Sequence, residues 1–180
     1  VSTITGTKIL IKKNHVGQAI LSPNATHVMY YNAEEAVWSV YEIAKEKEIP
    51  LSQNLSVSFA NEQNDMPATP NSYGIAGWAE DGNGIYVNDR YDIWYFSFDG
   101  KVKTNVTQSF GRNNSIVLRM QHFRNEDPRK PSNIIQQKKT QLLTSFHEKT
   151  KENGFFRLDL NKKNGLKEIF QSKNVYRRLI

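Results

Sequence analysis

The sequence predicts an all-β chain assembled from small antiparallel four-stranded units, and three observations carry that expectation. First, Tyr73 to Thr107 holds four short apolar runs separated by turn signals. The runs are Tyr73 to Trp78, Ile85-Tyr86-Val87, Ile93 to Phe98 and Val102 to Thr107. Between them lie Glu80-Asp81-Gly82, the corner Asn88 to Tyr91, and Asp99-Gly100. Aromatic and β-branched residues fill the runs, and Asp-Gly before an alternating segment is a strong hairpin signal. Second, the preceding segment repeats this order. Ser22-Pro23-Asn24 matches Ala79-Glu80-Asp81, Val28-Met29-Tyr30 matches Ile85-Tyr86-Val87, and Val37-Trp38 matches Ile93-Trp94. Third, a weaker copy follows in the same strand order. Four strands in about 35 residues is the size of one propeller blade. The fold class is therefore a partial β-propeller of about three antiparallel four-stranded blades, 17–60, 73–110 and 115–171, with partial blades at both ends.

In chain order, Lys8 to Lys12 reads as a short strand with charged ends, and Gln18 to Leu21 as a second. Ser22-Pro23-Asn24-Ala25 has type I turn chemistry, with Pro fixing φ at the second place. His27 to Tyr31 alternates as a strand. Ala33 to Lys47 contains helix formers, yet its apolar residues fall at Trp38, Val40 and Ile43 beside β-branched neighbours, which favours strand. Ile49-Pro50-Leu51 is the outer strand. Asn61 to Asn71 is polar and Pro-containing, as a loop between blades should be. In the third unit the strands are Ser115 to Met120, Gln141 to Phe146, Gly154 to Leu160 and Leu166 to Phe170, with Phe155 or Phe156 in the place of Trp94. A second polar insertion spans 124–132, and 175–180 would open a fourth copy.

A chain of 180 residues with 38% hydrophobic content can bury a real core. No apolar run approaches the roughly 20 residues that a membrane-spanning helix needs. The chain opens on Val1-Ser2-Thr3 without an initiator Met and ends at Leu179-Ile180 within an apolar run, so the expectation is a piece of a longer protein. With zero cysteines, disulfide and thiolate chemistry are excluded. The net charge of +6 is uneven: residues 1–120 hold 10 Lys/Arg against 12 Asp/Glu, and residues 121–180 hold 14 against 6. That imbalance can mark a nucleic-acid surface, but solvated outer strands and loops explain it more simply.

His15, His27, His122 and His147 lack metal-ligand spacing, so no metal site is expected. Asp89, Arg90, Tyr91 and Asp92 occupy a hairpin corner and could line a channel mouth; the alternative is an internal Arg–Asp pair that holds the corner. Trp38, Trp78 and Trp94 recur at strand positions and read, with Phe155 and Phe156, as blade core rather than base-stacking platforms. Four Asn-x-Ser/Thr acceptor patterns occur, and there is no Gly-rich phosphate loop. No catalytic residue and no cofactor is assigned.

The segments GWAEDGNGIYVNDRYDIWYFSFDGK, NVTQSFGRNNSIVLRM and LLTSFHEKTKENGFFRLDL resemble the propeller of bacterial prolyl oligopeptidase-family serine peptidases, the group of dipeptidyl and acylaminoacyl peptidases. LSPNATHVMYY is similar to their recurrent Ser-Pro-Asp-Gly blade start, a pattern also found in TolB-type propellers. The resemblance covers roughly residues 17–175. It implies a non-catalytic part that gates and orients peptide substrates for an α/β-hydrolase domain carrying a Ser, Asp, His triad. No Gly-x-Ser-x-Gly elbow exists in this sequence, so the chain alone should hydrolyse nothing. Glu34-Glu35 could meet a peptide amino terminus, as a propeller glutamate pair does in some dipeptidyl peptidases. Their flanking residues do not match that motif, which favours a solvated turn. The implied partners are the hydrolase domain, the remaining blades and peptide substrates, with no nucleic acid and no membrane, and exposed blade faces that could self-associate. The resemblance implies a bacterial protein, periplasmic or secreted rather than cytoplasmic. The alternative is a TolB-type propeller that only binds protein or polysaccharide.

Overall fold

The computed structural model describes residues 1–123 and 133–176; the insertion 124–132 and the end of the 175–180 run lie outside the described residues. Among the described residues three sheets follow one another along the chain, antiparallel but for one edge pair in the second. The first is a meander of β1 (Ala19–Leu21), β2 (His27–Asn32), β3 (Val37–Glu42) and β4 (Lys47–Pro50). The second contains β5 (Ile75–Ala79), β6 (Gly84–Asn88), β7 (Ile93–Ser97) and β8 (Lys103–Asn105). A five-residue helix α1 (Phe110–Asn114) leads into β9 (Ile116–Met120), and β10 (Ile134–Ile135) follows. The third sheet is completed by β11 (Gln141–His147), β12 (Asn153–Leu158) and β13 (Leu166–Ser172). The fold is all-β, antiparallel four-stranded blades of a partial propeller, with one helical turn and one extra strand that the sequence reading did not contain.

Two apolar interfaces join the sheets face to face. In the first, Met29, Tyr31, Trp38 and Val40 meet Ile85, Val87, Phe96 and Trp78. In the second, Tyr86 and Ile93 meet Leu118, Leu143, Phe156 and Leu158. Alternate residues of one strand thus serve opposite interfaces, which is why all of β6 is buried. Phe59, from the connection between the first two sheets, seals the first interface edge-on against Trp94 and Phe96.

The same turn chemistry recurs at different hairpins. Ser22 and Ser97 open two identical turns: each hydroxyl donates to the side chain two residues on, Asn24 or Asp99. Each hydroxyl oxygen also accepts the backbone N–H five residues on, from His27 or Val102. Asn24 and Asp81 likewise each accept the backbone N–H two residues ahead.

Two expectations are corrected. Lys8 to Lys12 forms no strand: it pairs with no ladder and instead lies along the outward side of the first sheet, where Ile9 and Ile11 share an apolar groove with Leu21, Val28 and Tyr41. Trp38 and Trp94 are not equivalent positions in successive interfaces; both lie in the first interface, projecting from opposite sheets. Asn32 and Asp89 are matched turn openers, each accepting the N–H groups two and three residues ahead. Asn32 pairs with Val37, whereas Asp89 N–H bonds to Asp92 C=O in a tighter turn. Ile93 therefore takes the facing of Trp38, toward the next sheet, and Trp94 turns back.

β10 pairs in parallel with β5, through Trp78 N–H to Asn133 O at 2.9 Å and Glu80 N–H to Ile135 O at 3.1 Å. This stitches the chain between β9 and β11 back onto the second sheet. A side chain at Gly77 would stand 2.6 Å from Asn133 O, so only glycine admits the added strand.

Candidate functional site

In a meander the second hairpin and the connection to the next sheet emerge at the same end. That end gathers the turns 33–36, 89–92 and 148–152 with the connections 51–74 and 106–115. The corner Asp89 to Asp92 is its most elaborated part, and it is built as a buried polar knot.

Asp89 and Asp92 are both completely buried. Asp89 accepts N–H bonds from Tyr91 and Asp92, both at 2.7 Å, and the Trp94 indole N–H at 2.9 Å. Asp92 accepts the Thr107 hydroxyl at 2.6 Å and the N–H groups of Gly111 and Arg112 at 2.9 and 3.0 Å. It therefore fastens α1 to the start of β7. Burial, reinforced by the charge of Asp89, pushes the Asp92 carboxyl above its ordinary value against the pull of those donors.

Around this knot lies a partly exposed rim. Arg90 makes a forked pair with Glu148, Nη2 standing 3.2 and 3.0 Å from its two carboxylate oxygens, and the Tyr91 hydroxyl donates to Glu148 at 2.7 Å. Burial alone would raise Glu148, but the Tyr91 hydroxyl and Arg90 bring it below the usual carboxylate value. Glu62, from the long first connection, stands 3.9 Å from Arg90. Arg112 also lies over the Tyr91 ring, 5.3 Å from its centroid, and 3.6 Å from Asp89. Arg119 donates to the carbonyls of Asp89 and Arg90, fixing the corner's backbone from the third sheet.

The sequence-named residues thus separate. Asp89 and Asp92 face inward as structural anchors, while Arg90 and Tyr91 reach the rim. Glu34 and Glu35 are exposed on the equivalent turn of the first sheet, where Asn32 caps their N–H groups. Among the described residues, no hydrogen bond or ion pair joins them to the knot. Trp38 and Trp78 are buried in the first interface, Trp94 is partly buried beside them, and Phe156 lies in the second. Phe155 faces the other way, packing on Phe170 and Tyr176 on the outward side of the third sheet. Glu148, Arg112, Arg119 and Glu62 were missed. Glu148 was reachable, because His147-Glu148 opens the third sheet's second hairpin, the counterpart of the Asp89 corner; the others carry no local signal.

Chemically, the knot holds its carboxylate acceptors occupied by backbone and side-chain donors. Thr107, whose hydroxyl donates to Asp92, is itself buried. Among the described residues no group of three or more His, Asp or Glu side chains is placed to hold a metal ion.

No family model matches the chain, and no curated protein matches its sequence. Among solved structures it aligns with a calcium-binding protein, regucalcin, from Agrobacterium tumefaciens, at a TM-score of 0.35 and 8% identity. The alignment covers 86% of this chain and 42% of that one, so the chain spans less than half of that structure's length. The fold assignment rests on the sheet order and the two interfaces described above.

Proposed function

We propose that this chain is a non-catalytic portion of the propeller of a prolyl oligopeptidase-like serine peptidase, where it forms part of a wall that orients peptide substrates for a separate hydrolase domain. The single observation that carries the reading is the corner's construction: two buried aspartates pin the turn while Arg90, Tyr91 and Glu148 are held as a polar rim at one mouth of the stacked sheets. A rim so braced presents fixed donors and acceptors to an extended peptide at little cost in ordering. The motif resemblance supplies the peptide as ligand class and the hydrolase domain and remaining blades as partners.

The experiment is a titration of the ¹⁵N-labelled chain with short peptides of varied amino terminus, with a serine-reactive fluorophosphonate added separately. Saturable shifts at Arg90, Tyr91 and Glu148 with no covalent labelling are expected. Peptide-independent spectra would remove the orienting role. Binding of a folded protein or a polysaccharide at the same rim instead would favour a TolB-type propeller used only for binding. Labelling by the fluorophosphonate would overturn the non-catalytic assignment.

A further inference from the structure

Three basic residues of the last third, Arg157, Lys162 and Lys167, line one concavity at the opposite end of the third sheet. Arg157 on β12 and Lys167 on β13 are direct cross-strand partners on its outward side, and both are exposed. Like charges placed directly opposite destabilise a sheet unless something offsets them. Among the described residues neither side chain makes a hydrogen bond or ion pair. The pair lines a hollow of about 160 Å³ with Thr140, Asp159, Lys162, Asn164 and Gly165. Asp159 is the one acid there and is already committed, to Lys162 at 2.8 Å and to the Asn161 N–H at 3.1 Å. Its carboxyl is held below the usual value by those donors, so it stays ionised and paired. The Thr140 hydroxyl and the Asn164 amide make no side-chain hydrogen bond among the described residues. The hollow therefore offers a guanidinium, an ammonium, a hydroxyl and an amide, all free to donate.

We propose that this hollow is a binding site for a tetrahedral oxyanion of the phosphate class, gripped between Arg157 and Lys167 with Thr140 and Asn164 as neutral donors. Guanidinium and ammonium groups on adjacent strands match the several oxygens of such an anion, and its double charge removes the repulsion between them. The site is independent of the peptide-orienting reading, since it lies on another sheet end and shares no residue with the rim.

The test titrates the whole ¹⁵N-labelled chain with inorganic phosphate, sulfate, phenyl phosphate and acetate at constant ionic strength. Saturable shifts of the Arg157 side chain and of Asn164 and Gly165 with the tetrahedral anions are expected. Binding of phenyl phosphate as well as phosphate identifies an ester-borne group as the source, and phosphate alone identifies the free ion. Lys167→Glu, which gives Arg157 an opposite charge, is expected to weaken phosphate at least about tenfold while raising thermal stability in its absence. Shifts that follow ionic strength alone, or that survive Lys167→Glu, would overturn the site. An equal response to acetate would also overturn it, and would point to a carboxylate of a neighbouring sheet as the occupant.

Discussion

The Asp92 carboxylate lies 2.6 Å from the Thr107 hydroxyl, and this contact ties the entry of the third strand of the middle sheet to the connection that leaves it. The same carboxylate accepts the N–H groups of Gly111 and Arg112 in the first turn of α1. One buried side chain thus sets the path by which the chain passes from the second sheet to the third.

Asp92→Ala leaves the Gly111 and Arg112 N–H groups without their acceptor and the Thr107 hydroxyl with Asn105 alone, 3.0 Å away. The expected loss is about 3 kcal/mol in urea unfolding, with hydrogen-exchange protection falling first across Phe110 to Ser115. Asp92→Asn keeps one accepting oxygen and should lose less. Because burial raises the folded carboxyl above 3.8, the folded chain holds this proton more tightly than the unfolded one. Its contribution is therefore greatest at low pH and declines as pH rises from 3.8 toward the folded value, a decline absent in Asp92→Asn.

Glu148 acts with the opposite sign. Its folded carboxyl lies below 4.5, so its contribution is present above 4.5 and is lost as pH falls through the folded value. Glu148→Gln is expected to cost at most about 1 kcal/mol at neutral pH, since the pair with Arg90 is partly exposed. It should also flatten that acid limb in pH-dependent urea unfolding.

Trp38 is fully buried at the first interface, and Phe156 almost fully at the second. Truncation of either to Ala is expected to cost about 3–5 kcal/mol, because each leaves a cavity between sheets that cannot close without moving a whole sheet. Thermal unfolding of the two variants measures this, and a loss below about 1 kcal/mol in either would argue that its interface is loose.

Gly77→Ala places a methyl against Asn133 O and the Ile135 side chain. The expected result is release of β10 with the rest of the second sheet intact. It is read as selective loss of amide protection at Ile135 and at Trp78 and Glu80, whose N–H groups bond to Asn133 and Ile135.

Much of the fold was legible because the local turn chemistry is strong. Asp-Gly and Ser-Pro-Asn turns fix hairpin positions wherever they fall, and the strands between them alternate. The facing of Trp94 was not legible, since it depends on how tightly Asp89 closes against Asp92, a difference of turn geometry and not of composition. Lys8 to Lys12 looks like a strand by pattern, but a strand needs a partner edge and this segment finds only a sheet face. Parallel β10 follows directly on the insertion at 124–132 and announces itself by two residues alone. At the corner, sequence identified Asp89 to Asp92 but not their roles. Glu148 could be placed at the equivalent hairpin of the third sheet, but Arg119 reaches the corner's carbonyls from β9 with no spacing rule to report it.

The measurement that bears most directly on the stacked-sheet arrangement is a nuclear Overhauser spectrum of the labelled chain. The stacked arrangement predicts contacts across the first interface between Met29 or Trp38 and the Ile85 and Val87 methyls, and between the His27 and Phe98 rings, whose centroids lie 4.4 Å apart. Across the second interface it predicts contacts between Ile93 and the Leu118 and Leu143 methyls. Intact contacts within each sheet with none between sheets would contradict it.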